Sequence, residues 1–155
     1  MQPPIDSLDL FPELNDQLIS FLRQLPPDGW TRQTVARQWV VKDVVAHLLD
    51  GNLRRIALHR DGWTAPPDRG IDSWQDLVDY LNGLNADWVK ASRRLSPQIL
   101  VELLENTNAT VYRLFRELDP FAQSAFPVSW AGEDNSRNWF DIAREYTEKW
   151  HHAQQ

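Results

Sequence analysis

A chain of 155 residues with a formal net charge of −6 and no cysteine is ordinarily one domain with a single compact core. The acidic balance lacks the basic footprint that a phosphate backbone demands, so nucleic acid is not an expected partner. The absence of cysteine removes disulfides, thiolate-rich zinc sites and a cysteine nucleophile together, so any thiol chemistry needs an external thiol.

The chain starts Met1-Gln-Pro-Pro-Ile5, with no basic stretch leading into an apolar run. No segment approaches the roughly 20 apolar residues that span a bilayer, so no membrane association is expected and a cytoplasmic protein is. From Asp9 to Leu25 apolar residues fall at Leu10, Leu14, Leu18, Phe21, Leu22 and Leu25, the spacing of an amphipathic helix. Pro26-Pro27-Asp28-Gly29 stops it. Trp30 to Val40 reads as a connector in which Thr31 and Thr34 could cap a short turn. From Val41 to about Arg60 the helical pattern returns, with Val41, Val44, Val45, Leu48, Leu49 and Ile56 on its apolar side and His47 beside that stripe.

Thr64 to Gly70 is a loop by composition, and Ser73 followed by Asp76 predicts the capped, acidic start of a third helix running to about Leu95. Ser96-Pro97 repeats the start signal, because proline is pre-shaped for the first helical position. The fourth helix then extends to Leu118, ahead of Asp119-Pro120. Phe121 to Ser136 is irregular, with Phe126 to Trp130 extended and a turn from Ala131. The last helix begins at Arg137 or Asn138 and its pattern is unbroken to Gln155, which leads us to expect that the natural chain continues. Five helices without a strand pattern predict one all-α domain over 1–155, an up-and-down four-helix bundle with an accessory helix. Eight tryptophans are a heavy load. Core filling accounts for most of them, and Trp39, Trp130, Trp139 and Trp150 are the candidates for walling an apolar pocket.

The residues that carry chemistry gather in the closing segment, Glu145-Tyr-Thr-Glu148-Lys-Trp-His151-His152. Residues four apart share a helix face, so Glu148 and His152 can point at one ion. Facing helices in a bundle lie close enough for His47, on the second helix, to complete the triangle. Two imidazoles and a carboxylate leave a fourth position open, as in catalytic metal sites. Zinc is the first expectation for this donor set, with nickel, iron and manganese as alternatives. An exposed Glu148–His152 ion pair and a hydrogen-bonded core histidine are the plainer readings of the same residues. His151 lies about 100° away around the helix. Glu145, one turn earlier on the Glu148 face, is a substitute or supporting ligand. Asp43, one turn before His47, is either a partner that fixes the imidazole tautomer or a surface charge. His59, beside Arg60, reads as exposed.

Two segments resemble a known superfamily, the DinB-like metal-binding four-helix bundles, and within it the N-terminal domain of mycothiol-dependent maleylpyruvate isomerases. They are Trp39-Val-Val-Lys-Asp-Val-Val-Ala-His47-Leu and Glu148-Lys-Trp-His-His152-Ala-Gln-Gln155, and the resemblance extends over nearly the whole chain. It implies a divalent metal held by His47, Glu148 and His152. It also implies an isomerase or S-transferase that uses a low-molecular-weight thiol on a small-molecule substrate. The isomerases carry a further C-terminal domain beyond the bundle. No thiol-binding residue of the family can be assigned to a position here. Two rival readings remain open. One is a metal-dependent hydrolase in which Glu145 or His151 acts as base. The other is a non-catalytic helical sensor, binding or dimerisation module, and with it a homodimer.

Overall fold

The computed structural model describes residues 2–125 and 135–155. The expectations for residues 126–134, including the extended stretch and Trp130, lie outside it. Among the described residues there are five α-helices: α1 (Phe11–Gln24), α2 (Val41–Asp61), α3 (Trp74–Ser92), α4 (Pro97–Glu117) and α5 (Asn138–Ala153). Among the described residues there is no strand, only isolated bridges at Gln33–Val40 and Gln123–Arg137. No helix among them is long and apolar enough to cross a membrane.

The helix ends follow from local chemistry. A 3-10 turn at Leu8–Leu10 leads into α1, so the regular helix starts two residues later than the apolar spacing predicts. The Asp43 carboxylate at the start of α2 accepts the Val40 N–H at 3.3 Å. Ser73 and Ser96 cap α3 and α4 by accepting the N–H groups of Asp76 and Ile99, as their sequence contexts predict. α3 stops at Ser92, short of the expected Leu95, because the chain turns there through a Leu95 N–H to Ser92 carbonyl bond of 2.9 Å. α2 ends at Gly62, whose φ of +63° lets its N–H reach the Leu58 carbonyl.

Two apolar clusters make the core. One joins Leu18 and Leu22 of α1, Val45 and Leu49 of α2, and Leu100 and Leu104 of α4. The other joins Phe11, Ile56, Val111, Phe115 and Ile142. A polar layer separates them: Asn15, Asn52, Thr107, Asn108 and Lys149 are all buried. α1 and α5 pass from the Phe11 cluster towards the Leu49 cluster, whereas α2 and α4 pass the other way. The C-terminal part of α3 lies against the N-terminal part of α2, where the Trp88 indole donates to the Ala46 carbonyl at 2.7 Å. Successive helices therefore alternate in direction, the up-and-down arrangement that the sequence predicts. α3 is the accessory helix, packed chiefly on α2 and burying only Val89 and Ser92.

The left-handed cap at Gly62 gives a direct test of this geometry. A β-carbon there meets no neighbour within 4 Å, so the cost of substitution is conformational alone. Gly62→Ala is expected to lower stability by about 1–2 kcal/mol in urea unfolding, with no change in the helical signal of the folded protein.

Candidate metal centre

His47 is held in the first half of α2, buried between Trp39 and α5. The preceding loop fixes Trp39 through its carbonyl, which accepts from the Thr34 hydroxyl at 2.9 Å and the Gln33 amide at 2.8 Å. The indole covers the His47 ring at 4.9 Å between centroids and approaches the His152 ring at 6.5 Å. The two imidazoles meet edge to face at 5.0 Å.

One ligand atom each from His47, Glu148 and His152 lies within 4.8 Å of the other two. His47 Nε2 is 3.6 Å from Glu148 Oε1. That is too long for a good hydrogen bond. It matches two donors sharing one tetrahedral ion, which at about 2.0–2.2 Å each lie roughly 3.3–3.6 Å apart. Among the described residues the second ring nitrogen of His47, Nδ1, is buried with no hydrogen-bond partner, and an ion on Nε2 would leave it so. His152 Nδ1 lies 3.1 Å from Gln155 Oε1. An N–H at Nδ1 would donate there and leave Nε2 with a free lone pair. The donor set and its spacing thus fit a divalent cation.

Electrostatics prepare the same groups. The His47 ring facing Oε1, joined by the Arg144 guanidinium 2.8 Å from Oε2, outweighs burial and holds the Glu148 carboxyl well below the usual carboxylate range. Burial pushes the His152 imidazole below its ordinary value. A carboxylate and a neutral imidazole are the forms that bind a metal.

Behind Glu148 lies a network that sequence reasoning missed. Arg55 of α2 is almost fully buried and grips Asp141 of α5 with both terminal nitrogens, and it reaches Glu145 Oε2 at 3.1 Å. Burial works against its charge, but Glu145 and Asp141 more than offset it and hold the guanidinium above its ordinary value. Arg144 spans Asp141 and Glu148 on the same helix. The signal was present in α5, where Asp141, Glu145, Glu148 and His152 recur at intervals of three and four, a polar stripe on one face. Lys149 points into the core instead, donating to Asn108 Oδ1 at 2.8 Å and Asn15 Oδ1 at 3.2 Å. Burial, offset in part by Glu145, lowers its ammonium to about 8.

The other sequence candidates take different places. Glu145 borders a cavity of about 310 Å³ beside the triad, with one oxygen held by Arg55. His151 is exposed, its ring 6.0 Å from that of His152. Asp43 neither touches His47 nor lies at the surface. It is 2% exposed and binds the Arg93 guanidinium through both oxygens. His59 is not fully exposed either. Its Nε2 is buried without a partner and its ring packs edge-on against Phe115, because this turn of α2 faces the Phe115 cluster. Among the tryptophans, Trp39 borders the triad, Trp150 is about half exposed, Trp139 packs on Phe140, and none of the three lines the cavity.

The family model described as the mycothiol maleylpyruvate isomerase N-terminal domain matches residues 11–155. No curated protein and no solved structure matches the chain significantly.

Two measurements probe the buried charges. Asp141→Asn leaves the Arg55 guanidinium with only Glu145 as a charged partner on α5. It is expected to cost about 3 kcal/mol in urea unfolding, with the double variant Arg55→Met/Asp141→Leu costing less than the sum of its parts. Lys149 has a lower pKa folded, at about 8, than its ordinary 10.5. Between those values the unfolded chain binds the extra proton, so stability rises with pH, and below about 8 the cost of burying the charge is fully present. Wild type is therefore expected to gain on the order of 2 kcal/mol more than Lys149→Met between pH 8 and 10.5.

Proposed function

This chain belongs to the mycothiol maleylpyruvate isomerase N-terminal domain family, a DinB-like domain, and on that premise we propose that it is a divalent-metal-dependent enzyme of the thiol S-transferase or isomerase type. The observation that carries the reading is the convergence of His47, Glu148 and His152 to within 4.8 Å, next to a cavity large enough for a small molecule. His47, Glu148 and His152 are the ligands, and zinc is the first choice of metal. A cation bound there favours the anion of an external thiol by lowering its pKa. The reaction joins thiol sulfur to an electrophilic carbon as the thiol proton leaves. In a transfer a leaving group departs with its electron pair, and in an isomerisation the same C–S bond breaks again and returns the thiol.

The chain's own residues prepare this chemistry. Arg144 holds one oxygen of Glu148, so the other is directed towards His47. Gln155 accepts from His152 and fixes which ring nitrogen is left bare. Trp39 covers both imidazoles and excludes water from that side. With no cysteine in the chain, the sulfur nucleophile is a small molecule, which suits the cytoplasm, where thiols are kept reduced.

Two placements weigh against hydrolysis. Glu145, the nearer candidate base, has one oxygen committed to Arg55 at 3.1 Å, and His151 is exposed on another face.

Elemental analysis of the purified protein tests the reading. Close to one divalent metal per chain is expected in wild type, with at least a tenfold weaker affinity in His47→Ala and in His152→Ala, measured by competition with a chelator. Turnover of an electrophilic substrate should stop when small thiols are removed. Stoichiometric metal that survives both substitutions, or turnover indifferent to thiol, would remove the proposal.

A further inference from the structure

Beside the triad, α2, α3 and α5 enclose the cavity of about 310 Å³, at the small end of the range of ligand pockets. Its walls differ in kind. On the α2 and α5 sides stand charged residues, but they answer one another. Arg54 lies 3.0 Å from Asp50, Arg55 grips Asp141 and reaches Glu145 at 3.1 Å, Arg144 lies 2.8 Å from Glu148, and the Lys149 ammonium is turned inward to Asn108 and Asn15. A ligand therefore need not supply a negative charge to balance this wall. On the α3 side stand Val78 and Leu81, with the neutral amides of Asn82 and Asn85 next to them and Leu48 of α2 beside them. α3 buries nothing before Val89, so Val78 and Leu81 are only partly covered by protein.

Gly51 occupies the turn after His47 and also lines the cavity. A glycine in a helix interior costs roughly 0.5–1 kcal/mol relative to alanine. No packing demand explains it here, because an added β-carbon would meet only Glu145 Oε1, at an ordinary 3.9 Å. What the missing side chain does is leave the cavity open next to the triad.

We propose that this cavity receives the uncharged, apolar body of the molecule that reacts at the triad, and that Gly51, Val78 and Leu81 set the size it accepts. The inference rests on the metal-and-thiol reading above and adds a substrate class to it: a small hydrophobic compound whose polar, reacting end faces His47, Glu148 and His152. Its length is limited by α3, and its charge is not selected by the paired arginines.

Linear alkanethiols from ethanethiol to hexanethiol are the probes, bound to the Co²⁺-loaded full chain and followed by the sulfur-to-cobalt charge-transfer absorption. In wild type the affinity is expected to rise roughly two- to fourfold per methylene, the gain for burying a CH₂ wholly or in part. In Gly51→Phe, whose ring fills the cavity from a helix position that tolerates a side chain, the dependence on chain length should flatten at equal metal content. Leu81→Asp approaches from the opposite wall and should flatten it too. Thiols that bind with the same affinity at every length in wild type would overturn the inference and leave the function standing. A length dependence that survives in both variants would do the same. A cobalt protein that binds no thiol at all would remove the functional reading, and this inference with it.

Discussion

The grip of Arg55 on Asp141 and Glu145 sets the register of α5 against α2, and the candidate site depends on that register. The two helices run in opposite directions. From Arg55 back to His47 is eight residues, about 12 Å along α2. From Asp141 forward to Glu148 and His152 is seven and eleven residues, about 10 and 16 Å along α5. The three candidate ligands therefore arrive at one height because the anchor pair holds the helices level. A slip of one turn would carry Glu148 and His152 about 5 Å past His47. Buried ion pairs contribute little net stability compared with apolar residues of the same volume, but they penalise every register that leaves a charge alone. Apolar contacts such as Ile142 against Phe115 could tolerate a small slide, and the guanidinium cannot.

The polar layer across the middle of the bundle applies the same principle to α1 and α4. Asn52 donates to Thr107 at 3.0 Å and to Asn108 at 2.8 Å, and Lys149 donates to Asn108 and Asn15. Four helices are thus tied at one level by directional bonds, between two clusters whose aliphatic packing is less selective. The ammonium is costly to bury, and that burial depresses its pKa. The layer begins one residue from Glu148, so specificity in the core and placement of the candidate ligands are secured by neighbouring turns of α5.

Much of this was legible in the sequence, and the limits have a physical pattern. Helix boundaries marked by local chemistry, such as Ser73 with Asp76 and Ser96-Pro97, were readable because their causes lie within four residues. The triad was readable as a grouping because Glu148 and His152 share a face by spacing, with a lone histidine on the second helix to complete them. Arg55, Asp141 and Arg144 were not. A charged residue on an amphipathic helix is ordinarily solvated, and nothing local shows that the polar face of α5 is opposed by an arginine 86 residues away in sequence. Asp43 was misread for the same reason, since its partner Arg93 is contributed by the far end of α3. His59 was misread because one polar position among charged neighbours does not reveal that its turn faces a phenylalanine. Helical periodicity separates faces, but it does not say what each face meets.

Arg144 shows how the two levels of organisation combine. Its guanidinium occupies Oε2 of Glu148, leaving Oε1 towards His47, so the carboxylate is divided between a fixed cation and the position a metal would take. A carboxylate shared in this way donates less charge to an ion than a free one, and the ion remains more strongly polarising towards whatever fills its open position. The same contact neutralises a charge that would otherwise face the cavity. One arginine therefore orients a candidate ligand, would moderate its donation to an ion, and pairs a charge on the adjoining wall. The remaining freedom lies with the α3 side of the cavity, where Val78, Leu81, Asn82 and Asn85 belong to the element least constrained by the core, so this wall can vary without disturbing the register that brings His47, Glu148 and His152 together.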